Sequence, residues 1–320
     1  ATFVDGKNVQ FDDNAAGTTS VNLAGSLAPA SVMVGNDAKP YTFSGAGKIT
    51  GATGLTKQGP GTLTISAQGN DYTGPSVLVG GKTVVSKLAD GGAASSLGAS
   101  TADPRNLRIG AATLSYTGPA ASMNRGLTVE SLSSTLDVQN SLSVSGNILA
   151  ARNSSFIKDG PGVLTIRTTG SNYLASANPG LQVARGTMVF DGTGGGQTNS
   201  TSGETWVGGT ALYPGHMIIS NSTLISASWF GIGRGNGDIG NTSTVTLHDG
   251  QLTISANGLA MGYSAGRPNL ATQRLTLNGA SGVYIPGNVN IGEHSGASAT
   301  VAVNGTSWLR GSTIRLGIST

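Results

Sequence analysis

The sequence predicts an all-β protein: a right-handed, three-sided parallel β-helix, or solenoid, with about 25–30 residues per rung. Three observations predict it. Charged residues are only 10% of the chain, and glycine accounts for 51 of 320 residues, more than double the usual share of about 7%. Apolar residues alternate with Thr, Ser and Gln over short stretches such as Thr62-Leu63-Thr64-Ile65, the period of strands with one buried face. Finally, the C-terminal third repeats itself at a fixed spacing, the mark of stacked units.

In that third, Ile219-Ser220-Asn221-Ser222-Thr223-Leu224 lines up with Leu247-His248-Asp249-Gly250-Gln251-Leu252, then with Leu277-Asn278-Gly279 and Val303-Asn304-Gly305. A second marker reads Ile232-Gly233, Met261-Gly262, Ile291-Gly292 and Leu316-Gly317, and its glycine recurs after 29, 30 and 25 residues. Each unit holds three short strands, as in Ser243–Leu247, Gln251–Ser255 and Gly258–Gly262, separated by Gly, Asn or Asp, which accept turn conformations. One such rung cannot bury its inward face alone. Stacked rungs bury a continuous apolar column.

The first two thirds carry another repeat. Lys57-Gln58-Gly59-Pro60-Gly61-Thr62-Leu63-Thr64-Ile65 matches Lys158-Asp159-Gly160-Pro161-Gly162-Val163-Leu164-Thr165-Ile166 at an offset of 101, and Tyr72 pairs with Tyr173 at the same offset. A Gly-Pro-Gly turn feeding an alternating strand is strong turn chemistry. Residues 88–105 and 192–209, rich in Gly, Ala, Ser and Thr, are expected as loop excursions from one continuous helix over 1–320. Neither end reads as a polar cap, so a longer natural chain is expected.

In order, Phe11-Asp12-Asp13-Asn14-Ala15, Val32-Met33-Val34, Tyr41-Thr42-Phe43-Ser44-Gly45-Ala46-Gly47-Lys48-Ile49, the segment Leu55–Ser66 and Asn70-Asp71-Tyr72-Thr73-Gly74 resemble the autotransporter-associated β-strand repeat. The resemblance is close over Phe3–Val85 and recurs, weaker, over Ser155–Phe190. The second copy departs at Leu174-Ala175, where the family has Thr-Gly, and carries an insertion before Arg185-Gly186-Thr187. This resemblance implies a β-helical passenger at the bacterial cell surface or beyond it. It carries no catalytic residues to transfer.

The chemistry-bearing residues are few. The chain has no cysteine, which excludes disulfides and thiol catalysis. Its 18 basic residues are scattered singly, leaving no footprint for nucleic acid. No apolar run reaches the roughly 18 residues of a membrane-spanning helix, and no signal peptide is evident at the first residues. His216, His248 and His294 lack metal-ligand spacing, so no metal or other cofactor is expected. Gly231–Asp238 resembles a calcium-binding turn repeat but occurs once. The 15 acids are spread along the chain, and their one adjacent pair, Asp12-Asp13, would point to opposite faces of a strand.

Catalysis is therefore not expected. The leading expectation is an extracellular structural stalk or adhesin-type segment, whose open strand edges would permit end-to-end self-association. The alternative is binding of cell-surface glycans through exposed aromatics, for which Trp206, Trp229, Phe230, Tyr263 and Trp308 are the candidates. A glycan-degrading enzyme ranks third.

Overall fold

The computed structural model describes residues 3–208, 213–233, 241–263, 272–293 and 296–317. The chain divides into two compact units, Ala1–Ala151 and Arg152–Thr320. Each is a parallel β-solenoid. Every pairing between named strands is parallel among the described residues, and one short 3-10 turn, Pro104–Asn106, is the helical segment among them.

In the first unit, one face is a ladder of seven strands running from Asn8–Asp12 through Ser31–Gly35, Leu55–Gln58, Ser76–Leu78, Leu107–Ile109 and Leu127–Val129 to Ile148–Ala150. A second face stacks Ser20–Asn22, Tyr41–Ser44, Thr62–Ile65, Gly81–Val85, Ala112–Tyr116 and Ser134–Val138. The third face has shorter pieces, Ser26–Leu27 on Lys48–Ile49 and Ala121–Met123 on Ser141–Val144. The coils here are tight. Ser31 lies over Asn8 and Leu55 over Val32, each 23 residues on, and Thr128 lies over Arg108 after only 20. Short turns built on Gly, often with no intervening loop, account for the compression below the expected rung.

Residues 88–105 lie within the coil from Ser76 to Leu107, which is longer than its neighbours in this unit. This segment is packed against the solenoid rather than projecting from it. Leu97, Ser95, Ser96 and Ser100 are fully buried. The guanidinium of buried Arg125 donates to the Leu97 carbonyl at 3.0 Å and to Ser100 Oγ at 2.6 Å. The Asn70 side chain accepts from the Ile49 amide and donates to the Ser96 carbonyl. Asp13, one of the adjacent acids, accepts from the backbone amides of Asp37, Ala38 and Lys39. Those three bonds hold its carboxyl below the usual range.

The second unit has three continuous ladders. The first runs through Phe156–Asp159, Leu181–Val183, Thr205–Val207, Phe230–Ile232, Gly258–Met261 and the distal halves of Gly282–Ile291 and Trp308–Leu316. The next stacks Val163–Ile166, Gly186–Asp191, Gly215–Ser220, Thr242–His248, Thr272–Asn278 and Ser298–Val303. The last stacks Ser171–Ala175, Gln197–Thr201, Ser222–Ser226, Gln251–Ile254 and the proximal halves of the two long strands. Coils advance by the expected amount: Leu181 lies 25 residues beyond Phe156, and Val289 lies 30 beyond Leu259.

Both sequence markers are corners of these coils. Asn221, Asp249, Gly279 and Gly305 all take left-handed backbone angles, with φ of 47°, 50°, 70° and 70°. The marker glycines 233, 262, 292 and 317 do the same at the other corner, with φ between 62° and 78°. Residues around 192–209, expected as an excursion, instead contain two of the ladder strands, Gln197–Thr201 and Thr205–Val207. All of their inward side chains except Val207 are polar, which hides the strand pattern. Asn172 donates to Asn199 Oδ1 at 2.8 Å, Asn199 donates to Ser222 Oγ, and Gln197 donates to the Ile166 carbonyl. These bonds offset the cost of burying amides.

Two lysines of the repeated Lys-x-Gly-Pro-Gly motif also point inward, both 0% exposed. Lys57 Nζ donates to the carbonyls of Gln58 at 2.8 Å, Gly59 at 2.7 Å and, from the next coil, Gly80 at 3.5 Å. Lys158 Nζ repeats the arrangement with Asp159, Gly160 and Arg185. Each ammonium thus ties a left-handed glycine turn to the coil stacked on it, while burial pulls the Lys57 ammonium below its ordinary range. Tyr72 and Tyr173, paired in sequence, part ways. Tyr72 is 1% exposed, whereas Tyr173 is 36% exposed. An irregularity between Tyr173 and Ala175 turns Leu174 inward in its place.

Two expectations follow. Lys57→Met leaves three carbonyls without their shared donor and is expected to cost about 2–4 kcal/mol, read as a lower urea midpoint; an unchanged midpoint would show that the ammonium contributes nothing net. Burial raises the Tyr72 phenol from 10.0 to about 12. Because its folded value exceeds its unfolded one, its contribution is complete below about pH 10 and is lost as pH rises from there through about 12, on the order of 2–3 kcal/mol in all. Unfolding midpoints measured across that window should fall less steeply in Tyr72→Phe than in the parent chain.

Candidate functional site

Strand alternation decides where the five aromatic candidates point. In Thr205–Val207 the flanking Thr205 and Val207 are fully buried, so Trp206 at the centre projects outward. Along the same outward column, Trp206 is followed by Gly231 and then by Ala260 in the next two coils. A large ring beside two positions with almost no side chain makes a hollow. Trp229 enters from the corner just before Phe230–Ile232, and its ring lies over Gly258, where an added Cβ would stand 2.8 Å from Trp229 Cζ3. Phe230 points the other way and is fully buried in the column between Thr205 and Leu259. It is a core residue and not part of a surface.

Tyr263 and Glu293 reach the hollow from its other side. Each follows a left-handed marker glycine, Gly262 with φ 78° and Gly292 with φ 70°. The Gly292 and Glu293 amides both donate to the Met261 carbonyl at 3.1 Å. Glu204 occupies the near corner, where its own carbonyl accepts from the Gly180 and Leu181 amides. Its carboxylate accepts from Trp206 Nε1 at 2.7 Å, which fixes the indole's orientation. The result is a groove of about 210 Å³ lined by Glu204, Trp206, Trp229, Tyr263 and Glu293 over a floor of Gly231 and Ala260.

The structure therefore unites three of the five aromatics, Trp206, Trp229 and Tyr263. Trp308 is 44% exposed but lies on another ladder, folded across Gly282. Glu204 and Glu293 were missed in the sequence, where acids look evenly dispersed. A usable signal existed: Glu293 and Tyr263 hold the same place after the marker glycine, one coil apart.

The remaining chemistry-bearing groups lie elsewhere. His216 Nδ1 is 2.9 Å from Thr244 Oγ1, and burial lowers its proton affinity. His248 is exposed near Asn278, while His294 and most of the calcium-like segment, residues 234–238, lie outside the described residues. Among the described residues, no group of three or more His, Asp or Glu is placed to hold a metal ion, and no helix is long and apolar enough to cross a membrane.

Over 250 residues, 75% of its length, the chain is 32% identical to the Adhesin BmaC autotransporter of Brucella suis biovar 1 (strain 1330). It spans 7% of that protein's length. No family model matches the sequence, and no solved structure matches it.

The contrast between the tryptophans is measurable. Trp308→Phe should remove the component of indole emission most readily quenched by acrylamide and shift the remaining emission to shorter wavelength. Quenching that is unchanged in this variant would place the accessible ring in the groove instead.

Proposed function

We propose, for a chain that is a passenger-type repeat protein of the autotransporter kind, a role as a rigid adhesive segment displayed at the bacterial surface and working without catalysis. The observation that carries this reading is the coincidence of two facts: a parallel solenoid in both units, and extended similarity to a protein named as an adhesin. A solenoid of fully paired parallel strands holds its outward side chains on a stiff lattice without any disulfide. That is what a contact surface held away from a cell requires. The scattered charges and lack of a basic patch favour short-range, shape-based contact over electrostatic capture.

The role is tested with antibodies raised against the purified chain and with beads coated with it. Intact cells of the source organism should label without permeabilisation, and coated beads should attach to cultured host cells several-fold more than beads carrying a denatured preparation. Labelling only after cell lysis, or attachment no better than the denatured control, would overturn the reading.

A further inference from the structure

The groove on the first ladder of the second unit combines features that a bare structural surface has no use for. Three half-buried aromatic residues surround it, two carboxylates stand at its rims, and its floor is reduced to Gly231 and Ala260. From this we infer that the groove binds one neutral hexopyranose ring of a glycan. The inference rests on the adhesive reading for its purpose, and names the chemistry of the contact.

Four physical arguments meet here. A pyranose has an apolar C–H face that stacks on an indole or phenol ring, and the Trp206 indole is fixed for this by its bond to Glu204. Its hydroxyls donate to carboxylates, forming the stronger, charge-assisted kind of hydrogen bond. The volume, about 210 Å³, is below the roughly 300–1,000 Å³ of pockets for drug-sized ligands, which suits a single ring. The two carboxylates also exclude acidic sugars, since like charges at close range repel strongly away from bulk water. The selectivity is therefore for glucose-, galactose-, mannose- or N-acetylglucosamine-type rings over sialic and uronic acids.

The floor supports the same conclusion. Gly231 and Ala260 sit at consecutive coils in the outward column that Trp206 occupies. A larger side chain at either place would fill the groove without touching the core. Both are borne on strands within a paired ladder, so the groove is held by the stiffest part of the fold.

The test is a tryptophan-fluorescence titration of the whole chain with the methyl glycosides of glucose, galactose, mannose and N-acetylglucosamine. At least one should give a saturable change at millimolar concentration, while N-acetylneuraminic acid and glucuronic acid give none. Trp206→Ala should weaken that response about tenfold or more, and Ala260→Leu should abolish it with an unchanged circular dichroism spectrum. Glu204→Gln should weaken it, and Trp308→Ala should leave it intact. The inference is overturned if no glycoside gives a saturable response, if folded Trp206→Ala responds like the parent, if acidic sugars bind equally well, or if only choline produces the change. Release of nitrophenol from the corresponding nitrophenyl glycosides, lost in Glu204→Gln, would overturn the non-catalytic reading and replace a binding groove by an active site. A chain that fails the titration but still attaches to cells would leave the adhesive role standing on another face. A chain that passes it without attaching would leave the site and remove the role.

Discussion

In each unit the coil-to-coil backbone ladder is the constraint from which the other features follow. A parallel pairing places each residue directly above one in the coil before it, so a side chain's environment is set by a neighbour some 20–30 residues away rather than by its sequence neighbours. The column Leu164, Met188, Met217, Val245 and Leu275 is one result, each residue fully buried against the next. A polar residue facing inward can find a partner in the same column or at the corner beside it. The Asn172–Asn199 pair uses the first solution, and Lys57 and Lys158 use the second.

The lysine arrangement links turn chemistry to stacking. Gly59 and Gly160 take φ near 80°, which a residue with a Cβ rarely adopts. At Gly59 a Cβ would also stand 2.5 Å from the Asn36 carbonyl oxygen. The turn therefore leaves carbonyls crowded on the inside of the coil, where water is excluded. A long side chain ending in three donors reaches them from a strand position. The ammonium also bonds the carbonyl before Gly81 or Gly186, the left-handed glycine that opens the next coil's strand. This explains why the motif pairs Lys with Gly-Pro-Gly in both units: the turn creates the need that the lysine meets.

Period, alternation and turn residues made the architecture legible. The spacing of the marker glycines equals the coil advance because both measure the same ladder. What the sequence hid was polar and local. Gln197, Asn199 and Thr201 face inward yet read as loop, since a strand filter looks for apolar residues and their hydrogen bonds are invisible in one dimension. Tyr173 aligns with Tyr72 but changes side at a ladder irregularity, an effect of one residue that alignment cannot register. The burial of residues 95–100 depends on Arg125 and Asn70, distant residues of other coils, and composition alone does not show it. Phe230 looked like a surface candidate beside Trp229, although adjacent strand residues face opposite ways and only the ladder phase says which one faces out.

The groove shows how such a fold acquires a surface hollow without interrupting its core. Outward positions carry almost no packing constraint, so their residue types can vary while the inward column stays apolar. Within one outward column, a Trp followed by Gly and Ala produces a wall and a floor. The corners then supply polar groups, because a residue just after a left-handed glycine is turned back along the face, as Tyr263 and Glu293 are. Glu204 and Glu293 are far apart in the chain and come together only because coils stack. The groove draws its lining from successive coils: Glu204 and Trp206 from one, Trp229 and Gly231 from the next, Ala260 and Tyr263 from a third, and Glu293 from a fourth. Its geometry therefore follows the ladder beneath it, and its lining is set by a handful of outward residues that the apolar column does not use.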